Sequence, residues 1–322
     1  MKKTASTTEL SPSVSVPKKH HPIIAEIIRN RQLYLMMVIP IFYIVLFKYV
    51  PMTGVQIAFR NYSPVKGAWG SEWVGLKHFI RFFTNPSWFV IIKNTLAISI
   101  YTLVLSIPFP IMLAVGLEYV RSRTFKKAVQ LTTYLPNFLS VVIVVGMLNL
   151  LLSNRIGALN NLVEVFIGHK INFLGDPKYF RTLYVWSGIW QSTGWSSILY
   201  IAALSSVDPQ IHEAAIIDGA NKLRRIWHID LTSIRPTIII MFIMSMGSVL
   251  TVGFDKTFLM QNTTNLSISE VLSTYEYKSG IGGLVPNLSY GTAVGLMTAL
   301  ANFFMIWLSN FICNKLSGSG LW

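Results

Sequence analysis

The residues 211–229, IHEAAIIDGANKLRRIWHI, lie between two long apolar runs and bring His212, Glu213, Asp218, Lys222, Arg224, Arg225 and His228 together at helical spacing. Such a set could do metal chemistry, because HEAAI begins like H-E-x-x-H, in which two histidines one helical turn apart hold zinc. Position 216 is Ile, however, so the ligand pair is incomplete and no metal site is expected. The chain contains no G-x-x-x-x-G-K-[ST] loop to cradle nucleotide phosphates. The GIGG at 280–283 has neither the spacing nor the strand context of a dinucleotide fingerprint. With no Ser-His-Asp or Cys-His set and no paired carboxylates in an apolar run, no catalytic residue is assigned.

The same segment reads better as a mechanical part. Asp208 is a plausible helix N-cap and Pro209 suits the first helical position. Gln210, Glu213 and Ala214 then share one face. Asp218-Gly219 should end this short helix, since Gly takes the left-handed C-terminal geometry without a Cβ clash. A second helix follows, with Leu223, Ile226 and Trp227 apolar at three- and four-residue intervals. The pair would form a firm knob whose Ala214-Ala215 surface admits another protein closely. The alternative is an amphipathic helix resting on lipid.

The elements that must position this knob follow from composition. Of 322 residues, 52% are hydrophobic and only 12% charged, against about 25% charged in soluble domains. Runs of roughly 20 apolar residues are needed to cross about 30 Å of hydrocarbon. Six are expected, at 33–52, 95–117, 128–152, 183–206, 237–260 and 290–312. The chain is therefore read as an all-α membrane protein with six transmembrane helices. The first run is too long for a signal peptide and lacks a small-residue cleavage site, so it should be retained. Residues 1–30 are assigned to a polar cytoplasmic tail, disordered over 1–22, and 31–322 to the membrane domain.

The net charge of +14 is explained by basic residues at cytoplasmic membrane edges rather than by nucleic acid, which is not expected as a partner. Arg121, Arg123, Lys126 and Lys127 in one short loop, and Lys222, Arg224 and Arg225 in the knob, place those loops and both termini on the cytoplasmic side. Glycine- and tryptophan-rich outer segments suit the membrane interface. Pro108, Pro110 and Pro136 should bend their spans. Lys48, Lys93, Glu118 and Asp255 fall near span ends, where long side chains reach water. The lone Cys313 permits no intramolecular disulfide.

The residues of the insert carry a family resemblance. EAAIIDGANKLRRIWHIDLTSIRP resembles the EAA loop of permease subunits in binding-protein-dependent ABC importers, matching at Glu213, Ala214, Ala215, Asp218, Gly219, Ala220, Trp227, Ile229, Leu231 and Pro236, and departing at Thr232, where proline is usual. FKYVPMTGVQIAFRNY, WVGLKHF, KNT and SYGTAVGLM are similar to the branch that imports oligosaccharides from complex polysaccharides. The resemblance implies a type I importer permease fold in the bacterial plasma membrane, with a coupling helix in the loop at about 207–236. It further implies a second homologous permease, two ATPase subunits, which would bind ATP and Mg, and an extracytoplasmic solute-binding protein. Membrane lipids complete the list of partners. This chain itself is expected to carry no cofactor.

For an oligosaccharide, a pathway needs hydroxyl partners and aromatic faces. On the fourth run Ser187, Gln191 and Trp195 recur every four residues with Ser192 beside them. On the fifth, Ser245, Ser248, Thr251 and Asp255 are expected to share a helical face. Packing between membrane helices would use the same small polar residues. An ion-coupled secondary transporter is the rival reading, weakened by the scarcity of mid-span acids and histidines; a membrane enzyme would need the catalytic set that is missing.

Overall fold

A computed structural model of the chain describes residues 29–318, 320 and 321. The polar tail expected over 1–22 lies outside the described residues, as does nearly all of the 1–30 segment. The chain divides into two units, Met1–Gly54 and Val55–Trp322. The first unit contains α1, Arg31–Ile44, which runs on through a π-helical turn at Val45–Tyr49.

The second unit holds the elements from Arg60 onward. A short antiparallel pair, β1 (Arg60–Asn61) and β2 (Glu72–Trp73), sets Arg60 opposite Trp73. There follow α2 (Lys77–Thr84), α3 (Trp88–Ser106), α4 (Pro108–Glu118), α5 (Arg123–Tyr134), α6 (Val141–Leu151), α7 (Ala158–Ile167) and the 29-residue α8 (Pro177–Ser205). After α8 come α9 (Pro209–Ile217), α10 (Arg235–Met246), α11 (Phe254–Met260), α12 (Leu272–Gly280) and α13 (Leu288–Ser317).

By length and apolar composition, three helical runs can cross a bilayer: Arg31–Phe59, Trp88–Glu118 and Leu288–Ser317. Two bent pairs, Arg123–Phe138 with Val141–Leu151 and Lys222–Ser233 with Arg235–Met246, raise the number to five if each is one span. Six spans are expected from the sequence; by length and composition the described residues give three to five. Pro136 sits in a 3-10 turn where the first pair bends by 100°, so 128–152 is not one continuous helix. Pro108 heads α4 directly after Ile107, and the helix restarts without losing its direction as one apolar run. The fourth run is helical throughout α8 and carries Ser, Thr, Gln and Gly along its length. Its polar groups are accommodated by protein, for α8 is the central helix and buries Phe180, Tyr184, Val185, Ser187, Ile189, Gly194, Ser197, Tyr200 and Leu204.

The core is arranged along α8 in successive clusters. Phe180, Tyr184, Val185 and Ile189 pack with Ile98, Val252 and Val271; Tyr200 and Leu204 pack with Ala114, Val115 and Ile234. At Gly194 a Cβ would come within 2.1 Å of the Thr133 carbonyl oxygen, so a glycine is required for α8 to approach α5. Asn94 fastens the N-terminal half of α3: its amide donates to the carbonyls of Ser267 and Glu270 and accepts from Arg181 of α8 at 2.9 Å.

Candidate functional site: the polar loop and the span-four and span-five faces

The loop folds as its local chemistry dictates. Asp208 Oδ1 accepts the Gln210 N–H at 2.9 Å, and Pro209 occupies the first turn, where it forfeits no intrahelical bond. At the other end of α9 the Ala220 N–H donates to Ala215 O at 2.8 Å and the Gly219 N–H to Ile216 O at 3.0 Å. Together with φ +77° at Gly219, these bonds are the Schellman arrangement that closes a helix C-terminus. Asn221 then caps the next short helix, Lys222–Arg225, by accepting the Arg224 N–H at 2.9 Å. A π-helical turn, Ile226–Asp230, and the single turn Leu231–Ser233 lead into α10 through a 59° bend. Thr232, where the motif departs from proline, donates its hydroxyl to Trp227 O at 3.4 Å.

Glu213, Ala214, Asp218 and Gly219 are exposed, while Ala215 and Ala220 are half-buried. No residue of α9 is buried. Beside these small residues stand Ile216, Ile217, Leu223 and Trp227, with Ile217 85% exposed. The loop thus presents an apolar surface edged by an acid.

What anchors it was not read from the sequence. Asp230, only 1% exposed, accepts the Tyr119 hydroxyl on Oδ2 at 2.8 Å, and its Oδ1 lies 3.2 Å from His212 Nε2. The Arg225 guanidinium lies 5.7 Å from the Tyr119 ring centre. Burial, then the bond to the Asp230 carboxylate, pushes the Tyr119 phenol up to about 12. His212, the would-be zinc ligand, is in fact a brace between α9 and the π-turn. Among the described residues no group of three or more His, Cys, Asp or Glu is placed to hold a metal ion.

The fifth run differs from expectation. Helix α10 ends at Met246, residues 247–253 are not helical, and α11 starts at Phe254. Ser248 and Thr251 therefore do not continue a helical face from Ser245, and Asp255 belongs to the next helix. A close partner holds the unwound stretch: Asn302 of α13 accepts the Leu250 N–H at 2.9 Å and donates to Thr251 Oγ1 at 2.8 Å. The unwinding nevertheless gathers Ser245, Ser248 and Thr251 around one cavity of about 210 Å³, shared with Ser99, Thr102 and Ser106 of α3 and with Tyr184 of α8. The buried Thr102 hydroxyl has no partner among the described residues. Such a wall offers hydroxyls to a polar solute.

The span-four residues lie outside that cavity. Gln191 donates its amide to Leu139 O at 2.9 Å, at the break between α5 and α6, and the Trp195 ring meets Phe138 edge-on at 5.8 Å. Ser192 donates to Gly188 O at 2.9 Å, and Ser187 to Leu183 O. Trp195 keeps half its surface exposed. A further residue escaped sequence reasoning: Lys256, only 8% exposed within the fifth run, whose signal was a charge inside an apolar stretch.

Several apolar helices, a capped polar loop and a hydroxyl-lined cavity without catalytic groups define a membrane transport component. Residues 106–317 match the family described as binding-protein-dependent transport system inner membrane component, and the chain belongs to it. Over 305 residues it is 43% identical to the polygalacturonan/rhamnogalacturonan transport system permease protein YteP of Bacillus subtilis (strain 168), covering 95% of this chain and 94% of that protein. It is 41% identical to Protein LplB of the same organism, covering 91% and 92%. Its fold is similar to that of a bacterial ABC transporter involved in the import of the acidic polysaccharide alginate, with TM-score 0.84, 34% identity and coverage of 92% and 99%. The alginate transporter solved with its alginate pentasaccharide-bound periplasmic protein gives TM-score 0.83 at the same identity, covering 92% and 98%. The chain is accordingly a permease subunit of the type I ABC importer fold, a transport component rather than an enzyme.

Proposed function

We propose that this chain is one of two membrane-spanning subunits of an ATP-driven importer that moves oligosaccharides released by an extracytoplasmic binding protein. The observation that carries this reading is the doubly capped loop: a rigid, exposed, apolar-and-acidic knob with no chemistry of its own, fixed to the end of α4 through Asp230 and Tyr119. The relatives' description as sugar-transport permeases supports the cargo. Two separate ATPase subunits bind ATP and Mg²⁺. Their closure moves the knob, and with it α8 and α10 on either side, which alternates access to the path. In this arrangement Glu213 makes the charge-assisted contact with the ATPase, Ala214, Ala215 and Ala220 allow close approach, and Asp218 and Gly219 set the turn. Gln191, Ser192, Trp195, Ser245, Ser248 and Thr251 serve the sugar path. The subunit resides in the bacterial plasma membrane with the loop and both termini cytoplasmic.

The test is mild detergent extraction of the tagged chain followed by mass measurement. The expected species contains a second permease and two ATPase copies. A monodisperse single chain that still transports would overturn the proposal.

A further inference from the structure

Lys256, on the short helix α11, is a buried cation left without an acid among the described residues. Its Nζ donates to Tyr184 O at 2.8 Å and lies 4.8 Å from the centre of the Tyr184 ring. No ion pair to it is found among the described residues, and its chain neighbour Asp255 is exposed in the first turn of α11. A carbonyl and a ring face are weak compensation for an ammonium withdrawn from water, and they use few of its three donors. A buried ionisable group with so little compensation is a functional-site candidate.

The position of the ammonium is equally specific. A Cβ at residue 188 would stand 3.2 Å from Nζ, so Gly188 leaves the room that the charge occupies. Tyr184, Gly188 and Ser192 recur every four residues and so form one strip of α8. Below Lys256 on that strip, Tyr184 lines the hydroxyl cavity together with Val252 and Gly253; above it, Ser192 adjoins Gln191 and Trp195. The cation therefore lies beside Tyr184, which lines the hydroxyl cavity, and one turn of α8 short of Gln191 and Ser192.

We infer that Lys256 is the residue that reads carboxylates in the path, making this importer selective for acidic, uronate-bearing oligosaccharides; the inference rests on the oligosaccharide-import reading. The flexible four-carbon stem lets the ammonium leave Tyr184 for a stronger acceptor. A carboxylate offers a charge-assisted hydrogen bond and the missing counter-charge, whereas a neutral sugar offers neither. Return to Tyr184 after passage releases the sugar.

The experiment uses the whole complex in proteoliposomes, with binding protein loaded beforehand with either a galacturonate trisaccharide or its methyl ester. Because the binding protein is common to all variants, a change in the acid-over-ester transport ratio reports on the path. Lys256→Met is expected to lower that ratio by about tenfold or more through loss of the acid rate, the ester rate being the internal reference. Lys256→Arg should keep most of the preference. An unchanged ratio in Lys256→Met overturns the inference, as does a parent that carries the ester but not the acid. Failure of both Lys256→Met and Lys256→Gln to assemble would make Lys256 a packing residue and also overturn it. A parent complex that moves no oligosaccharide of any kind removes the import reading itself.

Discussion

His212 Nε2 lies 3.2 Å from Oδ1 of the buried Asp230, joining the start of the exposed helix α9 to the end of the π-turn that follows it. The second carboxylate oxygen takes the Tyr119 hydroxyl, which belongs to the end of α4. One acid thus ties three segments, and in the proposed mechanism force applied to the knob would reach the bundle through it. Asp230→Ala leaves the half-buried Tyr119 hydroxyl without its acceptor, at a cost of about 1 kcal/mol. The expected result is a lower melting temperature of the purified complex and weaker substrate-stimulated ATP hydrolysis. Normal stimulation in a fully assembled Asp230→Ala complex would show that the tie transmits nothing.

The same bond has a pH signature. Tyr119 is raised in the folded chain from 10.0 to about 12, so its contribution is complete below pH 10, where the phenol is protonated in folded and unfolded chains alike. It declines as the pH rises from 10 towards 12. The stability advantage of the parent over Tyr119→Phe should therefore shrink between pH 9.5 and about 11. A constant difference in melting temperature over that range would contradict the assigned bond.

Gly219 allows a cleaner separation of backbone from contact. Nothing stands within 4 Å of a Cβ built there, yet φ is +77°. Substitution therefore costs strain and not collision. Gly219→Val is expected to lose about 1 kcal/mol or more and re-aim the following helix, abolishing most stimulated hydrolysis. Gly219→Asn, which tolerates the left-handed region better, should retain a substantial part. Equal activity of both variants would remove the turn from the mechanism.

Glu213 is exposed, so reversing its charge disturbs no internal bond. Glu213→Lys should weaken retention of the ATPase subunits at low salt, with the difference from the parent narrowing as salt screens it. A helix resting on anionic lipid would respond in the opposite sense, gaining affinity for the membrane. ATPase retention on immobilised complex, measured at low and moderate salt, decides between these signs.

The loop's architecture was legible because caps and turns are local chemistry. Asp208-Pro209 and Asp218-Gly219 announce a start and a stop within a few residues, and both are realised. The brace was not legible, since Tyr119 and Asp230 are 111 positions apart and neither is unusual alone. The fifth run misled for a related reason. Its composition reads as a continuous helix, but Asn302, more than 50 positions away, satisfies the backbone of an unwound segment between Gly247 and Gly253. The polar stripe of α8 was visible, yet only packing reveals that Gln191 faces the α5–α6 break while the serines of the fifth run face a different cavity.

That division sets different expectations for Gln191 and Trp195, which share a helical face. The Gln191 amide satisfies Leu139 O where the chain bends by 100° between α5 and α6. Truncating it leaves a carbonyl unpaired at a break that has lost its helical donors, so Gln191→Ala should destabilise the complex by roughly 1–3 kcal/mol as well as slow transport. Trp195 has no such duty: its indole rests against Phe138 and remains half exposed. Trp195→Ala is expected to slow oligosaccharide transport severalfold, while Trp195→Phe, which keeps an aromatic face, retains most of the rate. Complex yield and substrate-free ATP hydrolysis should match the parent in both Trp195 variants. Melting temperature and transport, measured on the same preparations, separate the two roles. Parent-like transport in Trp195→Ala would take this side chain out of the path and leave it as packing on the bent span.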